Sequence, residues 1–307
     1  MSMTDAKIKV SICVVTYNHE KYIHQCLQSI VSQNTNFSFE IIVGDDCSTD
    51  GTRLVIQEFL DKYPKIVKLI SHDKNIGATA NYLHVHDSAT GEYIAHLDGD
   101  DYMLPMKLQI QADFLDRNSD INIAWHRMYI RNEKTGMMLE DLINLKKFPK
   151  DKFDRGDVLR NITIGMHSSK MYRSSLKKFL LPNFPLLDYS INVEQLDSGF
   201  ASFVSDVPLG VYRAGIGIAS AGDGTKILLA KTFLYFLEKY PEHANDIGSA
   251  AFLLFLAALK NRKWSTCKVL YPVLKKTLNI KIISGIYFNR EIISMLRLPT
   301  KIRNDKC

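Results

Sequence analysis

The alternation of short apolar runs with stretches of helical period constrains this chain more than any other feature. Residues 10–15 (VSICVV) form an apolar, β-rich run closed by Thr16-Tyr17-Asn18. The next segment repeats apolar residues at helical spacing through Tyr22, Ile23, Cys26, Leu27, Ile30 and Val31. The pattern recurs at once: residues 39–43 form a second strand, Gly44 to Gly51 a polar turn, and 54–63 a helix. Residues 67–70 give a third strand, Asp73-Lys74-Asn75-Ile76-Gly77 opens a helix over 78–89, and 93–97 is a fourth strand. Strands separated by helices require right-handed crossovers, so the expected class is α/β, a mostly parallel central sheet flanked by helices on both faces. Ligands of such sheets bind beyond the carboxyl ends of the strands, and the unusual polar turns of this chain all fall there.

The fourth strand ends in Asp98-Gly99-Asp100-Asp101, which cannot continue into a core. Gly99 lets the backbone turn sharply, and the carboxylates converge on something positive. A hard divalent cation, Mg²⁺ or Mn²⁺, suits one or two carboxylates and keeps its other positions for water and substrate phosphates. The competing reading is a solvated acidic turn. Ser48 and Asp50 have a competing reading too, as caps of the following helix.

Taken in order, V-S-I-C-V-V-T-Y-N at 10–18, G-D-D-C-S-T-D-G-T at 44–52, Asn75-Ile76-Gly77 and Asp98-Gly99-Asp100-Asp101 resemble the successive motifs of family 2 glycosyltransferases, spread over about 90 residues. These are inverting enzymes of the GT-A (Rossmann-like) fold that use nucleotide-sugar donors. The resemblance covers residues 7 to 215. It implies that Thr16, Tyr17 and Asn18 hold the nucleotide and that Asp45 accepts from the base, uracil N3 of a UDP-sugar. Asn75 and Gly77 would shape the loop around diphosphate or ribose, with Lys74 either a charge partner or a solvated surface lysine. Asp98, beside Gly99, would contact ribose or metal-bound water, and Asp100 would coordinate the metal, Mn²⁺ or Mg²⁺, with Asp98 as its neighbouring ligand. Asp101 is alternatively the start of the turn into the next helix.

Inversion also needs a base on the opposite face of the sugar. The segment from Asp188 to Gly199 (DYSINVEQLDSG) fits the family pattern of an Asp-aromatic pair opening a helix that ends in glycine, which makes Asp188 the expected catalytic residue. Its competing reading is an ordinary helix cap. Two short strands are expected at 201–204 and 209–213, ending in a Tyr212-Arg213 pair that matches the family's closing Tyr-Arg. Gly215 stands where family members often carry His, which leaves Asp100 and Asp98 as the protein ligands. His167 is read as a satisfied, partly buried histidine, with pocket lining as the alternative. Neither a Gln-x-x-Arg-Trp motif nor transmembrane spans are visible, so one sugar is transferred per encounter. By analogy with stand-alone members of the family, the destination is a bacterial surface polysaccharide.

Charge divides the chain. Residues 1–225 hold 24 Lys plus Arg against 28 Asp plus Glu, whereas 260–307 hold 12 against 2. The expected organisation is a catalytic domain over 1–225, with a nucleotide-sugar half at 7–130 and an acceptor half at 131–225, followed by a basic helical extension over 226–307. In that extension the apolar run 247–259 is too short to span a bilayer. Helices are expected near 264–277 and 282–296, where lysines beside apolar residues suit an anionic membrane surface and a glycan or lipid-linked glycan acceptor. Packing on the catalytic domain, or a homodimer contact, is the alternative. No nucleic-acid motif accompanies the charge. Five cysteines without a C-x-x-C pair, and no visible signal peptide, point to a reducing cytoplasm, with the protein free or peripheral on the inner membrane face.

Three other functions fit parts of the pattern. A sugar nucleotidyltransferase would carry a Gly-rich phosphate loop after the first strand, where this chain has Thr16-Tyr17-Asn18-His19-Glu20. A phospho-acceptor signalling domain would not need Asp188 or so long a second half. A nucleotide-sugar-binding or scaffold protein with a dead pocket is opposed by Asp100 and Asp188 occurring together.

Overall fold

Side-chain alternation along the strands builds the sheet. In β1 (Val10–Thr16), Val10, Ile12 and Val14 pack on one face and Cys13 on the other. β2 (Phe39–Asp45) separates Ile41 and Val43 from Ile42, and β4 (Tyr93–Asp98) separates Tyr93, Ala95 and Leu97 from Ile94, in the same sense. Both faces are apolar, so helices cover both. α1 (Ile23–Val31), α2 (Thr52–Lys62) and α4 (Lys107–Arg117) cover one face, α1 burying Ile23, Cys26, Leu27 and Ile30 at the expected spacing. α3 (Ala78–Asp87), α5 (Arg155–Asn161) and α6 (Asp188–Leu196) contribute to the core on the other.

The computed structural model describes residues 7–148, 150–162, 164–216, 224–279, 281–282 and 294–295. With β3 (Val67–Ser71), β5 (Tyr102–Met103), β6 (Ile121–Asn132), β9 (Met171–Arg173) and β10 (Phe200–Ala214), the strand order is β3-β2-β1-β4-β9-β6-β10-β5. β7 (Met138–Glu140) and β8 (Lys152–Phe153) pair with β6 and β10. The long ladders, β1 with β2 and β4, β2 with β3, and β6 with β10, are parallel; the short ones are antiparallel. This is the expected mostly parallel α/β sheet. One local expectation is corrected: the strands at 201–204 and 209–213 are a single strand, β10, whose register with β6 breaks between Phe203 and Pro208. Pro208 has no N–H to donate, so the ladder is interrupted there while the chain keeps its direction.

β1 lies between β2 and β4, so strand order reverses at β1. The register sets Thr16 beside Asp45 and Val15 beside Asp98, which brings three carboxyl-end turns to one edge.

The C-terminal helices α7 (Gly224–Lys239), α8 (Ala244–Lys260) and α9 (Trp264–Thr277) share one buried cluster with α5 and α6. Phe233 and Phe236 each meet Tyr189 of α6 edge-on at 5.9 Å, and Lys239 pairs with Glu194 at 2.7 Å. The helix expected over 282–296 lies, except for residues 282, 294 and 295, outside the described residues. Among the described residues no helix is long and apolar enough to cross a membrane. Cys13 and Cys26 are buried free thiols.

Candidate active site

The first two turns are stapled together. Asn18 adopts a left-handed φ of 56°, which asparagine tolerates better than most residues, and its N–H donates to Ser48 Oγ at 2.9 Å. Asn18 Oδ1 in return accepts from the Thr49 N–H at 2.8 Å. Thr16 is buried, and Tyr17 stands 38% exposed at the rim. Asp45 is fully buried with both oxygens engaged: it accepts from the Ser48 hydroxyl, from the Ser48 N–H at 3.1 Å and from Arg53 Nε at 2.5 Å. The Ser48 hydroxyl is thus spent on Asp45 rather than on the helix, whereas Asp50 accepts from the Thr52 N–H at 3.0 Å at the start of α2, as a capping group does.

The loop at 73–77 is drawn onto the second turn. Asp46 accepts from the Ile76 and Gly77 N–H groups at 2.7 and 2.9 Å, and Asn75 Nδ2 donates to the Asp46 carbonyl at 3.1 Å. Gly77 has φ 89°, a conformation in which a Cβ is strained. Lys74 is exposed.

The acidic turn closes against this edge. Gly99 donates to the Val15 carbonyl at 2.8 Å, and a Cβ there would lie 2.8 Å from Thr16 Oγ1 and 2.9 Å from His19 Nδ1, so no larger residue fits without displacing the first turn. Asp98, Asp100 and Asp101 present oxygens within 4.8 Å of one another. Burial and the Asp98 charge push the Asp100 carboxyl up to about 7, and burial with the charges of Asp100 and Asp98 raises Asp101 as well. Burial acts the same way on Asp98, but its hydrogen bond to His96 and the charges of His96 and His19 hold it below the ordinary range. Arg213, 3% exposed, braces the turn: its backbone N–H donates to Asp101 Oδ1 at 2.9 Å, its guanidinium bonds the Asp100 carbonyl and Gln25, and it pairs with Glu133 at 3.1 Å. Asp101 is therefore bolted inward, and β5 rather than a helix follows it.

A divalent cation suits this donor set. Among the described residues, three carboxylates are crowded with one guanidinium beside them, and Asp101 Oδ2, Thr16 Oγ1 and His19 Nδ1 are buried without a protein partner. Hard oxygen donors at one turn are the chemistry of Mg²⁺ or Mn²⁺.

Asp188 is linked to the acidic turn through two histidines. It occupies the first position of α6, but the capping hydroxyl there is Ser190, whose Oγ accepts from the Leu187 N–H at 2.9 Å. The Asp188 side chain is 68% exposed. Despite that exposure, desolvation by the protein around it and the charge of Asp98 push its carboxyl up to about 6, with Lys170 opposing. His167 Nε2 lies 3.6 Å from Asp188 Oδ1, and the His167 ring is 3.8 Å from that of His96, whose Nε2 is 3.2 Å from Asp98 Oδ1. His167 is partly buried as expected, but the reading of it as satisfied is corrected: its Nδ1 is buried without a partner among the described residues, and its Nε2 is directed to Asp188.

Behind these groups lies a polar layer that motif reading misses. His96 Nδ1 meets His86 Nε2 at 3.0 Å, and His86 Nδ1 meets the Tyr172 hydroxyl at 2.7 Å. Ser168 Oγ donates to Asp98 Oδ2 and accepts from the Asp98 N–H. Lys170, fully buried, donates to Asn192 and Gln195 of α6, and burial pulls its ammonium down to about 7. A detectable signal was His96 itself, a histidine in an apolar strand at the same parity as Asp98.

Residues 11–180 match the family model for glycosyl transferase family 2. The chain belongs to glycosyl transferase family 2. An uncharacterized protein of Mycobacterium tuberculosis is 31% identical over 209 residues, covering 66% of this chain and 58% of that protein. TuaG of Bacillus subtilis, named for teichuronic acid biosynthesis, is 28% identical over 215 residues, covering 69% of this chain and 81% of TuaG. The chain thus spans 58% of the mycobacterial relatives it matches. Among solved structures, residues 1–349 of S. aureus TarS with UDP-GlcNAc superimpose with a TM-score of 0.61 at 21% identity, over 79% of this chain and 71% of that one. The mannosyltransferase PcManGT of Pyrobaculum calidifontis, in complex with GDP-Man and Mn²⁺, gives 0.59 at 15% identity over 99% and 87%. At these identities the neighbours establish the GT-A fold of the family 2 chain.

Proposed function

We propose that this family 2 protein transfers a sugar from a nucleotide-sugar, of the UDP class, to an acceptor hydroxyl with inversion at the anomeric carbon. The observation that supports the reading is the chain of contacts from Asp188 through His167 and His96 to Asp98, which links a carboxylate not used for helix capping to the acidic turn. Solved neighbours holding UDP-GlcNAc or GDP-Man support a nucleotide-sugar donor. TuaG supports a cell-envelope polysaccharide as destination and a glycan or lipid-linked glycan as acceptor.

Thr16, Tyr17, Asn18, Asn75 and Gly77 frame the nucleotide. Asp45 holds the shape of the base pocket through Ser48 and Arg53, and any contact it makes with a base requires those bonds to rearrange. Asp98 and Asp100 would hold Mn²⁺ or Mg²⁺, which supplies Lewis-acid stabilisation of the departing diphosphate. Asp188, ionised at neutral pH, takes the acceptor hydroxyl proton as that oxygen bonds to the anomeric carbon. The bond from that carbon to the β-phosphate oxygen breaks, and the nucleoside diphosphate leaves with the electron pair.

The experiment pairs Asp188→Asn with Asp100→Ala in transfer and binding assays. Asp188→Asn should keep metal-dependent binding of UDP or a UDP-sugar while transfer falls by about 10²–10⁴-fold, the usual scale of general-base removal. Asp100→Ala should lose the metal-dependent part of that binding. Undiminished transfer in Asp188→Asn would remove the base assignment. Donor binding without turnover in the parent protein under any acceptor would favour a binding protein.

A further inference from the structure

The amphipathic packing of α9 leaves a second stripe outside. Its core face is formed by Cys267, Leu270, Val273 and Leu274, all buried. Beside that face Trp264 and Tyr271, with Leu278 just past the helix end, one every seven residues, are 67%, 61% and 56% exposed. At 3.6 residues per turn these three project in nearly one direction, and Lys268 and Lys275, both exposed, fall within the same stripe. Large apolar side chains interleaved with lysines at one period are not what a solvated helix face requires.

The surrounding charge selects the occupant. From Lys260 to Ile282 the sequence carries seven basic residues and no acidic one. Lys260, Arg262, Lys263, Lys268, Lys275 and Lys276 form no ion pair among the described residues, in contrast to Arg160 and Lys239, which pair with Asp246 and Glu194 where the extension meets the rest of the protein. A second copy of this face would set like charges against each other, so self-association through it is disfavoured. We infer that the exposed stripe of α9 is a docking surface for an anionic phospholipid bilayer, with Trp264, Tyr271 and Leu278 entering the interface and the lysine stems extending along it to the headgroups. The helix pair α8–α9 is tied through α7 to α6, the helix that opens at Asp188, so docking anchors the acceptor side of the protein.

Trp264 is its own probe, because the other tryptophan of the chain, Trp125, is fully buried. The full chain is titrated with vesicles of phosphatidylcholine containing about one-third phosphatidylglycerol, and with phosphatidylcholine alone, following tryptophan emission and co-sedimentation. Anionic vesicles should shift the emission to the blue and sediment the protein, with an effect that weakens as salt rises; neutral vesicles should do neither. The double variant Lys268→Gln, Lys275→Gln should bind about 30-fold more weakly, the factor equivalent to about 1 kcal/mol for each of two lysines near an anionic surface. Trp264→Ala should sediment about tenfold more weakly, the low end of the loss expected for unburying a large apolar side chain. Equal binding to neutral vesicles, unchanged binding of the double variant, or a concentration-dependent dimer that Trp264→Ala abolishes would each overturn the inference. So would free-protein Trp264 emission already typical of a buried indole, which would show that the chain covers the stripe itself.

Discussion

Replacing Arg213 by methionine tests how the acidic turn is held. The side chain is buried, bonds the Asp100 carbonyl and Gln25, pairs with Glu133 at 3.1 Å, and stacks between Tyr22 and Tyr102 at 5.0 and 4.9 Å. Methionine keeps most of the volume and the backbone N–H that Asp101 accepts. Glu133 retains Arg131 at 2.9 Å, so the loss sits near the middle of the range for a broken buried pair, about 4 kcal/mol in metal-free protein at pH 8. The sign of the pH dependence follows from Asp100, whose folded pKa is raised to about 7. A raised carboxyl costs nothing below its unfolded pKa, and its cost grows as pH rises towards the folded value and is complete above it. Arg213 offsets that cost, so its removal matters more at pH 8 than at pH 5, where Asp100 is protonated in the fold. At pH 5 the hydrogen bonds and the pair with Glu133 are lost all the same and only the Asp100 contribution disappears, which leaves about 3 kcal/mol, the low end of the range for a broken buried pair. Differential scanning with a chelator present should therefore show Tm falling by about 8 °C at pH 8 and about 6 °C at pH 5, taking roughly 2 °C per kcal/mol for a chain of this size. Equal losses at the two pH values, or losses below about 1 kcal/mol at both, would refute the charge-bracing argument.

Other perturbations address single links. The transfer rate at subsaturating donor should have an acid limb near pH 6, falling about tenfold per pH unit below it as Asp188 protonates, and a profile flat to pH 4.5 would exclude Asp188 as the titrating base. Gly99→Ala places a methyl 2.8 Å from Thr16, so stability should drop by about 1–3 kcal/mol and nucleotide affinity with it; calorimetry showing parental binding would mean that the first turn yields freely. Ser190→Ala should cost about 1 kcal/mol of stability as the lost cap of α6, whereas Asp188→Asn should be nearly neutral in thermal unfolding; the reverse order would make Asp188 the cap.

The part of the fold legible from neighbouring residues alone is local and periodic. Alternating apolar residues in 10–15 and 93–97 and the spacing of Ile23, Cys26, Leu27 and Ile30 dictate strand and helix, because each follows from which side of one element must leave water. The order of those elements then places the turns at Asp45, Asn75 and Asp98 on the carboxyl edge, and the opening of α6 at Asp188 is equally local. Which groups meet across the chain depends on tertiary packing. Asp45 is engaged by Arg53, eight residues away, Arg213 reaches the acidic turn across 113 residues, and the fate of His167 depends on Asp188, 21 residues on. Asp98 acquires a chain of His96, His86 and Tyr172 only because α3 and the antiparallel β9 pack against β4. The same reasoning applies to Lys170: its sequence neighbours look solvent-exposed, yet it is buried because α6 brings two amides over it. Side-chain period is written into neighbouring residues, whereas a buried polar group takes its partners from segments that only the closed sheet brings within hydrogen-bond reach.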